Sequence, residues 1–231
     1  MNDDDPFRQP QAVRCAGDAP EGAVVADDVH RKDRLPPGQS RTRRWPVLDT
    51  GVHPPVMGRG EYRLVVDGEV DQPLELTWSD IESFPVVRVL ADMHCVTRWS
   101  RLGVLWEGIR VADVLGAAGV RTGASFVMAT GRDQVAHVRE GAVQWTTNLR
   151  VDECTGTDCL LAWSHDGRIL SNDHGGPLRL VVPARYAWKS AKWLCRLTLR
   201  RDEEPGYWER GGYHLRGDPW REQRFRFSGS D

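Results

Sequence analysis

Between Asp173 and Trp193 the chain writes charge into an apolar run. The order is Asp173-His174-Gly175-Gly176-Pro177-Leu178-Arg179-Leu180-Val181-Val182-Pro183, and Trp188-Lys189-Ser190-Ala191-Lys192-Trp193 follows shortly after. An ionised side chain held in low dielectric costs several kcal/mol, against a total domain stability of about 5–15 kcal/mol. The stretch can therefore be buried only if something answers its cations. The backbone amides of Gly175 and Gly176, a guanidinium and an ammonium would together hold a phosphate or an extended polyanion. Taken singly, the residues leave other readings open: His174 holding a turn, Arg179 on a polar strand face, Lys189 and Lys192 as a solvated edge with snorkelling stems.

Any anion affinity must be local. The 31 Lys and Arg are set against 33 Asp and Glu, and a formal charge of −2 gives no general pull toward nucleic acid or acidic membranes. The 231 residues are enough for one large domain or two small ones, and 40% hydrophobic content supports a real core. The first residues, Met1-Asn2-Asp3-Asp4-Asp5-Pro6, are acidic with no apolar run behind them, and no stretch reaches membrane-spanning length. A cytoplasmic protein without membrane insertion is the expectation. The five cysteines (Cys15, Cys95, Cys154, Cys159, Cys195) are odd in number and none are two residues apart, which disfavours a disulfide framework and a zinc knuckle. Cys154, Cys159 and Cys195 read as core thiols.

Residues 1–40 carry Asp runs, prolines and little apolar periodicity, and read as a mobile leader. Residues 41–231 then form a single domain. Its first segment, Arg43-Arg44-Trp45-Pro46-Val47-Leu48, is expected to lie over the domain as an extended arm, because prolines exclude a helix there. Alternation across Tyr62, Leu64 and Val66, then Val70, Leu74 and Leu76, predicts a hairpin with a primed turn at Asp67-Gly68. Ser79 is expected to cap a short helix ending at Pro85, and Val86–Leu90 to be a strand. A loop with Trp99, Gly103 and Trp106 leads to a helix over Val111–Ala118, which Gly119 ends. Further strands are predicted at 125–129, 142–149, 159–163, 178–182 and 193–199. Short helices between irregularly spaced strands imply an α+β fold with a mixed, largely antiparallel sheet. The aromatic- and glycine-rich residues 200–227 read as a tail wrapped on the domain.

Cys95 follows a strand and precedes Thr97-Arg98-Trp99-Ser100-Arg101, whose two cations would favour a thiolate. A buried core cysteine is the plainer alternative.

Several ordered motifs now carry a resemblance: Met93-His94-Cys95-Val96-Thr97-Arg98-Trp99-Ser100, Trp106-Glu107-Gly108, Thr146-Thr147-Asn148-Leu149, Asp173 through Pro183, and Trp188 through Trp193. Together they resemble the sulfite oxidase family of molybdenum enzymes, and most closely its small prokaryotic branch related to the catalytic subunit of methionine sulfoxide reductase. The resemblance spans residues 35–227. It implies a molybdopterin cofactor whose dithiolene binds molybdenum, with Cys95 as the protein ligand to the metal. It also implies pterin and phosphate contacts from Thr130, His174, Arg179, Ser190, Ala191 and Lys192, and places Thr97 and Arg98 on the substrate side, with Arg101 beyond them. The implied reaction is two-electron oxygen-atom transfer on a small substrate, with a separate electron-transfer partner. Sulfoxide or N-oxide reduction on the same fold, or a non-catalytic phosphate- or nucleotide-binding module, are the alternatives.

Overall fold

The amino-terminal residues expected to be a loose leader are, where the structure describes them, part of the sheet. The computed structural model describes residues 13–50, 53–137 and 141–227. Here β1 (Val24–Val25) and β2 (Ser40–Arg41) are short strands, and Arg14 and Arg34 tie the segment down by pairing with the buried carboxylates of Asp166 and Asp92. Composition hid this because the segment buries few side chains of its own; it supplies one layer that covers another.

The hairpin forms, with a longer connection than expected. β3 (Arg63–Gly68) and β4 (Leu74–Thr77) pair antiparallel, with Leu64 opposite Leu76 and Val66 opposite Leu74. Residues 69–73 connect them, so Asp67-Gly68 ends a strand and is not a two-residue turn. The next helix, α1 (Trp78–Ser83), is capped by Thr77, not Ser79: the Thr77 hydroxyl accepts from the Asp80 amide and the Asp80 carboxylate accepts from the Thr77 amide.

β5 (Val86–His94) leads through a tight turn into β6 (Trp99–Arg110), where a loop was expected. Gly103, which suggests a loop, lies inside the strand at φ +71°. Gly108 sits where the register with the neighbouring strand shifts, and a Cβ there would lie 2.0 Å from the Leu161 carbonyl oxygen. After it α2 (Val111–Ala118) ends at Gly119 in the left-handed region, as the sequence predicts. The remaining elements are β7 (Phe126–His137), β8 (Gly141–Arg150), α3 (Val151–Cys154), β9 (Leu160–His165), β10 (Arg168–Ile169), β11 (Arg179–Val181), β12 (Leu194–Arg200) and α4 (Tyr207–Arg210).

Two sheets result. One has the order β4-β3-β12-β7-β8; the other runs β1-β5-β6-β9-β10, with β2 beside β6 and β11 beside β9. The pairings β1–β5, β2–β6 and β12–β3 are parallel and the rest antiparallel, so the fold is α+β with mixed, largely antiparallel sheets. The larger core joins Leu64, Val66, Val127 and Leu197 of one sheet to Ile109, Leu161 and Leu180 of the other, with α2 packed against it. A second cluster lies on the far face of the β9 sheet. Along β9, Leu161 and Trp163 enter the first core and Leu160 and Ala162 the second. That far face is closed by Ala26 and Trp45 from the amino-terminal segment, which is why the segment is ordered. Among the described residues no helix is long and apolar enough to cross a membrane.

Candidate active site

The turn between β5 and β6 presents Cys95. Its amide donates to the Trp99 carbonyl (2.8 Å), the Arg98 amide returns to the Cys95 carbonyl (3.0 Å), and Arg98 takes φ +73° to close the turn. The thiol is 8% exposed and accepts a hydrogen bond from the Thr97 hydroxyl at 3.1 Å. Burial pushes the Cys95 thiol up, while the Thr97 contacts and the charge of Arg224 pull it back. The sequence named the wrong cations for this role. Arg101 is spent on Asp166 at 3.0 Å, and the Arg98 guanidinium lies over Gly38. Arg224, from the tail, donates to the Val96 carbonyl at 2.7 Å.

The charged stretch 173–193 folds back on itself. The Trp193 amide donates to Gly175 (3.0 Å), Leu180 to Ala191 (2.8 Å) and Leu194 to Leu178 (3.0 Å). The crossing is close enough that a Cβ on Gly175, at φ +96°, would lie 2.9 Å from the Cα of Lys192. Arg179 ends up 2% exposed. Strand alternation turns it away from Leu180 and into the second core, its guanidinium 5.5 Å from the ring centres of both Trp45 and Trp106. It is not on a polar face. Its donors go to the carbonyls of His174 (2.9 Å) and Ser190 (3.1 Å). Among the described residues no carboxylate pairs with it, and burial lowers its pKa to about 9.

His174 is buried beside Trp45, ring centres 4.0 Å apart, and shares a hydrogen bond with the Ser171 hydroxyl at 3.0 Å. Burial, then the charges of Arg179 and Lys192, lower its pKa to about 3, so the ring is neutral. Lys192 donates to the Asp173 carbonyl at 2.8 Å and lies 3.6 Å from Asp49; burial and Arg179 bring its pKa to about 8. Lys189 separates from this group. It is fully buried and neutralised internally, by Glu209 (2.5 Å) and by the carbonyl and side chain of Asn148 (2.7 and 2.9 Å). A solvated edge is not what it forms; it fixes α4 to β8.

Cys95 and this clasp share one cavity of about 260 Å³. Of the residues expected at a site, Cys95, Thr97, His174, Arg179, Ser190 and Lys192 line it. Arg98 does not. Thr130 lies buried in β7 with its carbonyl accepting from the Cys195 thiol at 3.4 Å, and Ala191 is part of the main core. Sequence reasoning missed Trp45, Asp133, Trp188, Trp208 and Tyr213, which also line the cavity. Asp133 is the most telling. It is 4% exposed, one carboxylate oxygen has no hydrogen-bond partner among the described residues, and burial raises its pKa to about 6. Nothing about Gly131-Arg132-Asp133 as a string signals this; Asp133 lies where the β7–β8 register breaks between Thr130 and Gln134.

The donor set limits what can sit here. Among the described residues no three His, Cys, Asp or Glu side chains come together as a metal site. A ligand that fills the cavity would meet the cations Arg179 and Lys192 with an anionic group and Asp133 with hydrogen-bond donors. Those features suit an organic cofactor with an anionic end, set beside the buried Cys95 thiol.

Comparison with known proteins agrees. Residues 51–208 match the oxidoreductase molybdopterin binding domain, and the chain belongs to that family. It is 44% identical over 192 residues to the uncharacterized oxidoreductase YuiH of Bacillus subtilis, covering 83% of this chain and 92% of that one. It is 29% identical to the protein-methionine-sulfoxide reductase catalytic subunit MsrP of Campylobacter jejuni, over 64% of this chain and 52% of MsrP. It is 27% identical to sulfite oxidase of Arabidopsis thaliana, over 67% and 46%. The chain thus spans about half the length of the last two. Its fold is similar to the sulfane dehydrogenase SoxCD from Paracoccus pantotrophus, with TM-score 0.56, 22% identity, and coverage of 68% of this chain and 42% of that one. The protein is an oxidoreductase whose cofactor is molybdopterin.

Proposed function

We propose that the protein catalyses oxygen-atom transfer on a small substrate at a molybdenum centre ligated by Cys95. One observation carries the reading: a buried thiol and a buried guanidinium without a carboxylate partner share one cavity. The bound molybdopterin centre would supply the two-electron chemistry. The chain's own residues do the rest. Cys95 would hold the metal as thiolate, with the Thr97 hydroxyl donating to its sulfur. Arg179, Lys192 and Ser190 would hold the phosphate end, and neutral His174 and Asp133 would meet the pterin, while Thr130 and Ala191 lie outside the cavity lining and would contribute through their neighbours. Arg98 is left out, since its side chain lies away from the cavity.

Metal and pterin content tests the proposal. Protein from a host that makes molybdopterin carries near-stoichiometric molybdenum, and Cys95→Ser loses the metal and the activity while the fold remains. Fully active metal-free protein overturns it.

The wall of the cavity favours a neutral substrate over a dianion. Trp99, Trp145, Trp188, Trp208 and Tyr213 line it, and its cations, Arg179 and Lys192, are assigned to the cofactor. Reduction of a sulfoxide or N-oxide is therefore a second reading beside sulfite oxidation. Turnover with sulfite and an oxidised dye, against turnover with sulfoxides and a reduced dye, separates them.

A further inference from the structure

The turn that carries Cys95 is held by more than its own bonds. Besides the two backbone bonds that close it, the Gln39 side chain donates to the Cys95 carbonyl at 2.9 Å, the Ser40 amide to the Arg98 carbonyl at 2.9 Å and Arg224 to the Val96 carbonyl at 2.7 Å. The base of the turn is tied as well. His94 and Ser100 stand opposite each other across β5 and β6, and His94 Nδ1 shares a hydrogen bond of 2.8 Å with the Ser100 hydroxyl. His94 is fully buried, and its other nitrogen, Nε2, lies 3.2 Å from Asp28 Oδ2. A carboxylate only accepts, so Nε2 is the donor. Asp28 stands on a single helical turn, Asp27–His30, and is itself fixed: its Oδ1 accepts from the Trp220 indole at 2.7 Å and from Arg31 at 3.1 Å. His94 is absent from the cavity lining, so whatever it does for the site it does through the chain, as the residue before the thiol. Partners that fix a metal ligand from outside typically contribute about 10–100-fold in metal affinity.

We propose that Asp28, acting through His94, is a positioning residue for Cys95: it locks the base of the β5–β6 turn so that the thiolate meets the metal in one orientation. The inference rests on the reading of Cys95 as the metal ligand given above. Neutralising a buried imidazole would need one partner. Here both ring nitrogens are engaged, one by the cross-strand neighbour and the other by a layer that packs on the sheet, so the ring cannot turn without breaking one of the two contacts. Asp28 and Trp220 both lie outside the residues 51–208 matched by the family. The amino-terminal segment and the tail therefore meet on the residue next to the thiol.

Two replacements of the ring separate the contacts. In His94→Gln the amide nitrogen takes the place of Nε2 and can donate to Asp28; in His94→Asn the amide takes the place of Nδ1 and keeps only the Ser100 contact. Both remove the ring, so any loss of packing is common to them. Cofactor-loaded His94→Asn and Asp28→Asn should lose molybdenum on dialysis about tenfold faster than wild type, with the thiolate-to-metal absorption displaced, whereas His94→Gln should stay near wild type in both. In cofactor-free protein, the rate of Cys95 alkylation by iodoacetamide, followed by mass spectrometry of its peptide, should rise in the same two variants and not in His94→Gln. Trp220→Phe keeps a ring at a half-buried position and removes only the indole donor to Asp28; it should shift each readout in the same direction, and it stands in for Asp28→Asn if that variant does not fold. Equal behaviour of His94→Gln and His94→Asn, both like wild type or both impaired, overturns the proposal. Absence of molybdenum from wild-type protein made in a molybdopterin-producing host refutes the functional reading instead, and the order of alkylation rates then decides alone whether Asp28 sets the turn.

Discussion

Arg179 and Asp133 are buried ionisable residues that line the cavity with no ion-pair partner among the described residues. Arg179 places a cation among Trp45, Trp106 and backbone carbonyls, and Asp133 places a carboxylate against the same cavity with one oxygen unpaired. Replacing Arg179 by Met keeps the stem and removes the charge. The apoprotein should be as stable as wild type or more so, because the buried charge has no carboxylate partner to lose. Cofactor load should fall by about tenfold or more, since a charge-assisted hydrogen bond contributes about 1.5–3 kcal/mol. Pterin released by acid denaturation, per mole of protein, measures it; full load in Arg179→Met removes the clasp.

Asp133 carries its own pH signature. Its folded pKa, about 6, lies above its unfolded value near 4, so the folded state holds the extra proton between those limits. Stability from this residue is therefore greatest below pH 4 and is lost as pH rises to 6 and beyond, by on the order of 3 kcal/mol. Asp133→Asn should match wild-type apoprotein at pH 4 and melt several degrees higher at pH 7, while retaining less pterin. Equal melting temperatures at pH 7 would show that the carboxylate has a partner there.

At the level of elements, legibility in the sequence followed locality. α2 and its Gly119 stop were readable because a helix and its cap are written within about ten residues. The β3–β4 pairing was readable from alternation, its loop was not. β6 is a strand where the sequence predicts a loop around Trp99, Gly103 and Trp106, because glycine reads locally as a turn former, while a glycine such as Gly108 answers to a neighbouring strand about fifty residues away in sequence. The same distinction governs the site. Cys95, His174, Arg179 and Lys192 stand in local motifs and were found; Trp45, Asp133 and Tyr213 reach the cavity only through sheet register and the packing of the ends, and were not. A consequence is testable in the strand itself. Gly108→Ala puts a methyl against the Leu161 carbonyl at the bulge and should destabilise the fold by about 2–3 kcal/mol, lowering the melting temperature by roughly 5–10 °C. A variant that melts within a degree of wild type would mean that β6 and β9 are not in this register.

On the scale of the whole molecule, the amino-terminal segment closes over the β1-β5-β6-β9-β10 sheet through Trp45 and Arg34, while the tail reaches both sheets, through Glu209 on Lys189 beside β8 and Arg224 on Val96. The closure sets Arg179 and Lys192 beside one cavity, and this couples anion binding there to protons. In the apoprotein Lys192 has a pKa of about 8, lowered by burial and by Arg179, against about 10.4 when unfolded. Between those values the unfolded chain binds the extra proton, so stability from this residue rises with pH across the window. A phosphate in the clasp favours the charged ammonium and restores the higher pKa. Phosphate binding at pH 8.5 should therefore take up a fraction of a proton, seen as a calorimetric enthalpy that differs between two buffers of unlike ionisation enthalpy. Lys192→Met should bind more weakly and abolish the buffer dependence. A binding enthalpy independent of buffer in the wild-type apoprotein would place the phosphate away from Lys192, and with it the end of the cofactor that the clasp is built to hold.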